Sequence, residues 1–124
     1  MTSGALLLGV VLFQVKHFVA DYLLQSTYVV ANKGRCGHPG GILHAAIHML
    51  ASVPVLLALA VPLPGLIVTI LCEGVVHYHL DWAKDRLQKR LGLTVTQRAY
   101  WGLFGADQLL HQFTYVAMLW AWMG

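Results

Sequence analysis

Four pairs of side chains able to hold a metal ion recur at a spacing of four residues: His17 with Asp21, His44 with His48, His77 with Asp81, and Asp107 with His111. Each pair lies in a strongly apolar stretch. A spacing of four puts both side chains on one face of an α-helix, so each segment carries a single polar stripe on an apolar cylinder. Ionisable groups in such helices are costly and normally face the interior of a bundle, which makes the pattern a candidate functional site. Neutral imidazoles with carboxylates form a donor set for Zn²⁺ first, with Mn²⁺ or Fe²⁺ as alternatives, held as one ion or two. A metal lowers the pKa of its bound water to about 7, so metal-dependent hydrolysis is the economical reaction class. Glu73, four residues before His77, fits a general base or a bridging carboxylate. Lys16 and Lys84 fit groups that stabilise an anion, and Gln25 and Gln108 fit amides that orient the carboxylates.

The elements that must position these groups follow from composition and turn signals. The 124 residues are 58% hydrophobic and only 10% charged, against roughly 25% charged in an ordinary soluble domain. This is the composition of an integral membrane protein. Crossing the hydrocarbon takes about 20 residues per helix, so four crossings consume most of the chain. The turn residues predict helices over 3–31, 42–61, 66–91 and 95–123. Asn32-Lys33-Gly34 stops the first, the glycine-rich stretch 34–41 separates it from the second, and Pro62-Leu63-Pro64-Gly65 makes a tight turn before the third. Pro54 is tolerated as a kink in the second. Gly92 caps the third, and Thr94-x-x-Gln97 has the form of a capping box opening the fourth. The expected architecture is an all-α integral membrane four-helix bundle forming one domain.

Orientation follows from Lys and Arg. The first connection carries Lys33 and Arg35, and the third carries Lys84, Arg86, Lys89, Arg90 and Arg98; the 62–65 turn and both termini carry none. By the positive-inside rule both basic connections are cytoplasmic and both termini lie outside. The net charge of +3 is therefore a topology signal, and no nucleic-acid partner is expected. At about 1.5 Å per residue, all four pairs fall in the cytoplasmic half, where antiparallel helices can bring them to one level. His38, in a loop, and His79, about 200° around the helix from His77, fall outside the set. Cys36 and Cys72 lie at different depths, which argues against a disulfide, and both read as ordinary small apolar residues. The N-terminus lacks the basic segment of a cleaved signal peptide, so the first helix is expected in the mature protein.

Three other readings use the same residues. A transporter could relay protons or pass a metal ion along them, and would require a homo-oligomer. A b-type haem could take its axial ligands from His44 or His48 with His111, leaving three aspartates without a task. A structural membrane subunit could use the stripes only to pair helices. The segments Lys16-His17-Phe18-Val19-Ala20-Asp21-Tyr22-Leu23-Leu24-Gln25, Asn32-Lys33, His44-Ala45-Ala46-Ile47-His48, His77-Tyr78-His79-Leu80-Asp81-Trp82-Ala83-Lys84 and Asp107-Gln108-Leu109-Leu110-His111 together resemble a family of small bacterial and phage-associated integral membrane proteins of unknown function. The resemblance covers nearly the whole chain. It implies a four-span protein of the bacterial inner membrane and singles out the same polar residues, but carries no activity with it. The preferred reading is a membrane-embedded metalloprotein, a metal-dependent hydrolase acting from the cytoplasmic side on an amphiphilic or phosphorylated substrate, with membrane lipid as its surroundings.

Overall fold

Residues 1–123 are described by the structure, a computed structural model, and every regular element among them is helical. The first helix, α1 (Ser3–Phe18), is opened by Thr2, whose hydroxyl accepts from the Ala5 amide at 3.2 Å. One π-helical turn follows over Val19–Leu23, closed by Leu24 N–H donating to Val19 C=O at 2.9 Å. The expected single helix over 3–31 therefore ends early. Ser26 explains where it restarts: its hydroxyl accepts from Val29 N–H and caps a new short helix, α2 (Thr27–Asn32).

The second long helix, α3 (Pro39–Ala58), begins three residues before the expected start. Pro39 suits the first helical position, where its missing N–H costs nothing, and His38 Nδ1 accepts from Gly40 N–H at 3.0 Å. Gly40 and Gly41 read as loop residues in the sequence, yet both lie in the first turn of α3. A Cβ on Gly40 would sit 2.7 Å from Asn32 Cβ, and one on Gly41 would sit 3.0 Å from the Lys33 carbonyl oxygen, so glycine here lets α2 lie against α3. The next helix, α4 (Leu63–Arg90), starts directly after Pro62. The last, α5 (Arg98–Ala121), starts three residues later than the capping-box motif implies. Gln97 Oε1 does accept from Thr94 N–H at 2.8 Å, but Thr94 Oγ1 pairs with Thr96 Oγ1, so the motif forms a turn and only half of a capping box.

Each of the four long helices packs against two others: α1 on α3 and α5, and α4 on α3 and α5. The chain ends meet at one end, where the Met1 amine donates to the Met123 carbonyl at 3.4 Å. In that half an apolar core forms from Phe13, Val55, Leu56, Leu66, Met118 and Leu119. Three helical stretches, Ser3–Leu23, Pro39–Ala58 and Leu63–Arg90, are long and apolar enough to cross a membrane. Length and composition thus mark a membrane protein. The fourth long helix, α5, is not among the three: its Tyr, Trp, Gln, His and Asp residues dilute an otherwise apolar stretch. Large apolar side chains such as Leu7, Leu50, Val75 and Trp120 point outward, in the manner of a surface that faces lipid. Both cysteines are free and exposed, so Cys72 lies on this outer surface and not in the core.

Candidate metal centre

Four helices and the π-turn deliver the polar stripes to one place. His17 comes from the last turn of α1 and Asp21 from the π-turn, where a widened backbone spiral often marks a functional site. His44 and His48 come from α3, His77 and Asp81 from α4, and Asp107 and His111 from α5. All eight are buried. His38 and His79 stay outside: the first caps α3, and the second is exposed with its Nδ1 2.7 Å from the Val75 carbonyl.

Two aspartates organise the imidazoles. Asp21 Oδ1 lies 3.0 Å from both His44 Nε2 and His48 Nε2, and its Oδ2 lies 3.1 Å from His17 Nε2. Asp81 Oδ2 lies 3.2 Å from His44 Nε2 and 3.4 Å from His77 Nε2, while its Oδ1 is 3.4 Å from His111 Nε2. His44 therefore touches both carboxylates. Asp107 Oδ1 adds a further contact to His111 Nε2 at 3.4 Å. Two overlapping sets of donor atoms lie within 4.8 Å of one another, Asp21 with His44, His48 and His77, and His77 with Asp81 and His111. His77 belongs to both.

The nitrogens fall into two classes. Lys16 can only donate, and its ammonium reaches Glu73, His48 Nδ1 at 3.0 Å and the Tyr115 hydroxyl at 3.2 Å. With Nδ1 accepting from Lys16, neutral His48 carries its proton on Nε2 and donates it to Asp21. A parallel chain fixes His17. Gln108 is oriented by its amide NH₂ donating to Asp107 Oδ2 at 3.3 Å, so Gln108 Oε1 accepts from His17 Nε2 at 3.0 Å, and His17 Nδ1 accepts from the Tyr115 hydroxyl at 2.9 Å. His48 thus presents its Nε2–H to Asp21, while the Nε2–H of His17 goes to Gln108 and Asp21 Oδ2 lies beside it.

The other three imidazoles behave differently. His44 Nε2, His77 Nε2 and His111 Nε2 are buried and make no hydrogen bond, although carboxylate oxygens lie within 3.0–3.4 Å of each. Proximity without alignment means that the lone pairs or N–H bonds are not aimed at those oxygens. Asp107 Oδ1 is buried and unbonded in the same way. A buried polar atom without a partner ordinarily costs about 1–3 kcal/mol, so these four atoms are the ones open to a shared partner. Ligand atoms on one tetrahedral Zn²⁺ stand about 3.3 Å apart, close to the separations seen here.

The remaining expected residues are distributed around this cluster. Glu73 is buried against Lys16 through Oε1, so these two are brought together as an ion pair. Lys84 stands outside the cluster, 5.9 Å from the ring centres of Tyr100 and Phe104. It borders a recess of about 90 Å³ that opens beside Asp21 and Asp107, with Gln25 and Lys33 also in its wall. Two residues have no assigned role at the site on the sequence alone. Lys33 reads as an orientation signal or a contact for phosphate headgroups, yet its ammonium lies 3.5 Å from Asp81 Oδ2. Tyr115, four residues after His111, shares the polar stripe of α5, and that periodicity was the available sign of its place beside Lys16 and His17.

A family model described as "Protein of unknown function (DUF3307)" matches residues 9–123. The chain belongs to this family. The matched stretch contains every residue of the cluster, from Lys16 to Tyr115. No curated protein matches the chain, and no solved structure does.

Proposed function

We propose that the protein is an integral membrane metalloprotein in which all four long helices cross the bilayer, both termini lie outside, and the cytoplasmic half of the bundle holds one or two divalent ions. Zn²⁺ suits the imidazole-rich donor set best, with Mn²⁺ or Fe²⁺ as alternatives. The observation that carries the reading is the convergence of three buried, unbonded Nε2 atoms, on His44, His77 and His111, around Asp81, with Asp21 beside His44 and Asp107 beside His111. Charge points the same way. Lys16 offsets Glu73 and Lys33 offsets one of the three aspartates, so with neutral imidazoles two negative charges remain, the complement of a divalent ion. His44, His77 and His111 are then the imidazole ligands, while His48 holds Asp21 in place through its Nε2–H and His17 is fixed beside Asp21 by Gln108 and Tyr115.

The reaction class we assign is hydrolysis. A divalent ion held by these residues would supply an activated water. Asp107, whose Oδ1 is unbonded and which lines the recess, is the carboxylate placed to take a proton from that water; Glu73 is held by Lys16. The apolar core between the cluster and the chain termini weighs against a translocating pathway through the bundle. Ring centres of His48 and His77 lie 3.7 Å apart and those of His77 and His111 4.3 Å apart, which leaves no slot for a porphyrin. A purely structural role is a poor account of this many buried ionisable groups, because interhelical hydrogen bonds in membranes average about 0.6 kcal/mol.

Elemental analysis tests the reading. Protein purified without chelator is expected to hold about one or two equivalents of Zn, Mn or Fe, and His77→Ala, which removes the donor common to both sets, is expected to lower this at least tenfold. Metal below about 0.2 per chain, with no uptake on reconstitution, overturns it.

A further inference from the structure

Two cavities meet at Lys84 and Asp107. One is the polar recess of about 90 Å³ beside Asp21, walled also by Lys33 and Gln25. The other is a groove of about 160 Å³ between α4 and α5, whose remaining lining is apolar: Leu80, Ala83, Leu87, Leu103, Ala106 and Leu110. Ala83 and Ala106 both line the groove, where larger side chains would narrow it. Leu87 and Leu110 are 43% and 46% exposed, so the groove opens on the outer, apolar surface of the bundle. A molecule seated across both cavities would place a small polar head at the metal centre and an apolar chain along the helices.

We propose that this composite site binds an amphiphile with a phosphate monoester head and a single apolar chain. The proposal rests on the metal-centre reading and names the substrate class of that centre. The recess holds two ammonium groups. Lys33 is shared with Asp81, and Lys84 has no carboxylate within ion-pair distance among the described residues. Gln25 Oε1 is buried in the recess without a partner, and its amide can turn to donate or accept. A phosphate monoester carries about −1.5 to −2 charges and three acceptor oxygens, matching two lysines and a divalent ion better than a carboxylate does. The recess, at about 90 Å³, is of a size for one such group. Lysines at this end of the bundle also lie where phosphate headgroups of the facing leaflet reside. The apolar groove joined to the recess selects a lipid-borne phosphate over a soluble one.

Hydrolysis there balances as follows. The water oxygen bonds to phosphorus, one water proton passes to Asp107, the phosphorus–oxygen bond to the chain breaks, and the leaving alkoxide recovers that proton. The products are the long-chain alcohol and inorganic phosphate.

The test uses full-length, metal-loaded protein in detergent, with monododecyl phosphate and glycerol phosphate as probes. Phosphate release is expected from monododecyl phosphate with kcat/KM at least about tenfold above glycerol phosphate. Lys84→Met is expected to lower turnover of both about tenfold, and Ala106→Trp to abolish the preference for the long chain, each with metal content unchanged as the sign of an intact fold. Equal rates on the two probes overturn the proposal, as does metal-loaded wild-type protein that releases no phosphate from either; both leave the metal centre standing. Absence of bound metal overturns the underlying reading itself.

Discussion

The same four helices build two halves of opposite character. Toward the termini, the inward positions are Phe13, Val55, Leu56, Met118 and Leu119, and they fill space by shape. Toward the basic connections, the inward positions are His17, Asp21, His44, His48, His77, Asp81 and His111, and they fill space by charge and hydrogen bonding. Helix period alone does not distinguish the halves, because both use positions three and four apart. What differs is how each resists being opened. In lipid, an apolar contact between helices gives packing but little transfer energy, since the surrounding tails are as apolar as leucine. The polar half cannot be exposed to lipid without stranding ionised groups, so its cost of opening is electrostatic.

The sharpest way to break this contrast is to unbalance the polar half without touching the residues proposed to hold the metal. Lys16→Met leaves the Glu73 carboxylate buried and unpaired, and also removes the donors to His48 Nδ1 and the Tyr115 hydroxyl. Thermal denaturation in detergent is expected to show a loss of about 3–5 kcal/mol. Adding Glu73→Leu removes the stranded charge, and the double variant is expected to recover most of that loss while remaining short of wild type in metal affinity. If the double variant is no more stable than Lys16→Met alone, the ion pair is not what holds this half.

Leu56→Ala makes the opposite cut. Leu56 is 1% exposed at the centre of the apolar core. The expected loss is about 2 kcal/mol, near the low end for a buried leucine because lipid contributes no transfer term. Metal content should stay at the wild-type value. A Leu56→Ala protein that unfolds more easily and also loses its metal would mean that the two halves are one cooperative unit.

This contrast also explains how far the sequence could be read. The four i,i+4 pairs were legible because a charged stripe on an apolar helix has few other uses, and the eight residues do meet in one buried cluster. The helix ends were less legible because short-range chemistry decided them. Ser26 restarts the chain as α2, and Pro39 with His38 opens α3 inside a stretch whose glycines suggest a loop. Tertiary contact decided the rest. Nothing local to Lys33 announces that its ammonium reaches Asp81, and nothing local to Glu73 announces that Lys16 holds it. The distinction between histidines with bonded and unbonded Nε2 atoms lies beyond any spacing rule, because it depends on which neighbour reaches Nδ1.

Tyr115 belongs to both halves, and the smallest of these perturbations is made there. Its ring stacks on Phe13 with centroids 5.1 Å apart and planes 7° from parallel, while its hydroxyl accepts from Lys16 and donates to His17 Nδ1. Tyr115→Phe removes only the hydroxyl, and the expected loss is about 1 kcal/mol, measured by the shift of the thermal midpoint in detergent. With its Nδ1 released, His17 can place its proton on either nitrogen. Its Nε2–H bond to Gln108, which seats the imidazole beside Asp21, then weakens, so metal affinity in a competition titration should fall severalfold. Tyr115→Leu removes the aromatic stack as well and should cost about 1 kcal/mol more. If the two variants are equally stable, the ring contributes nothing to the apolar half, and Tyr115 is a member of the polar network alone. If Tyr115→Phe leaves metal affinity unchanged, the hydroxyl does not set the protonation of His17, and Gln108 and Asp21 suffice to hold that imidazole.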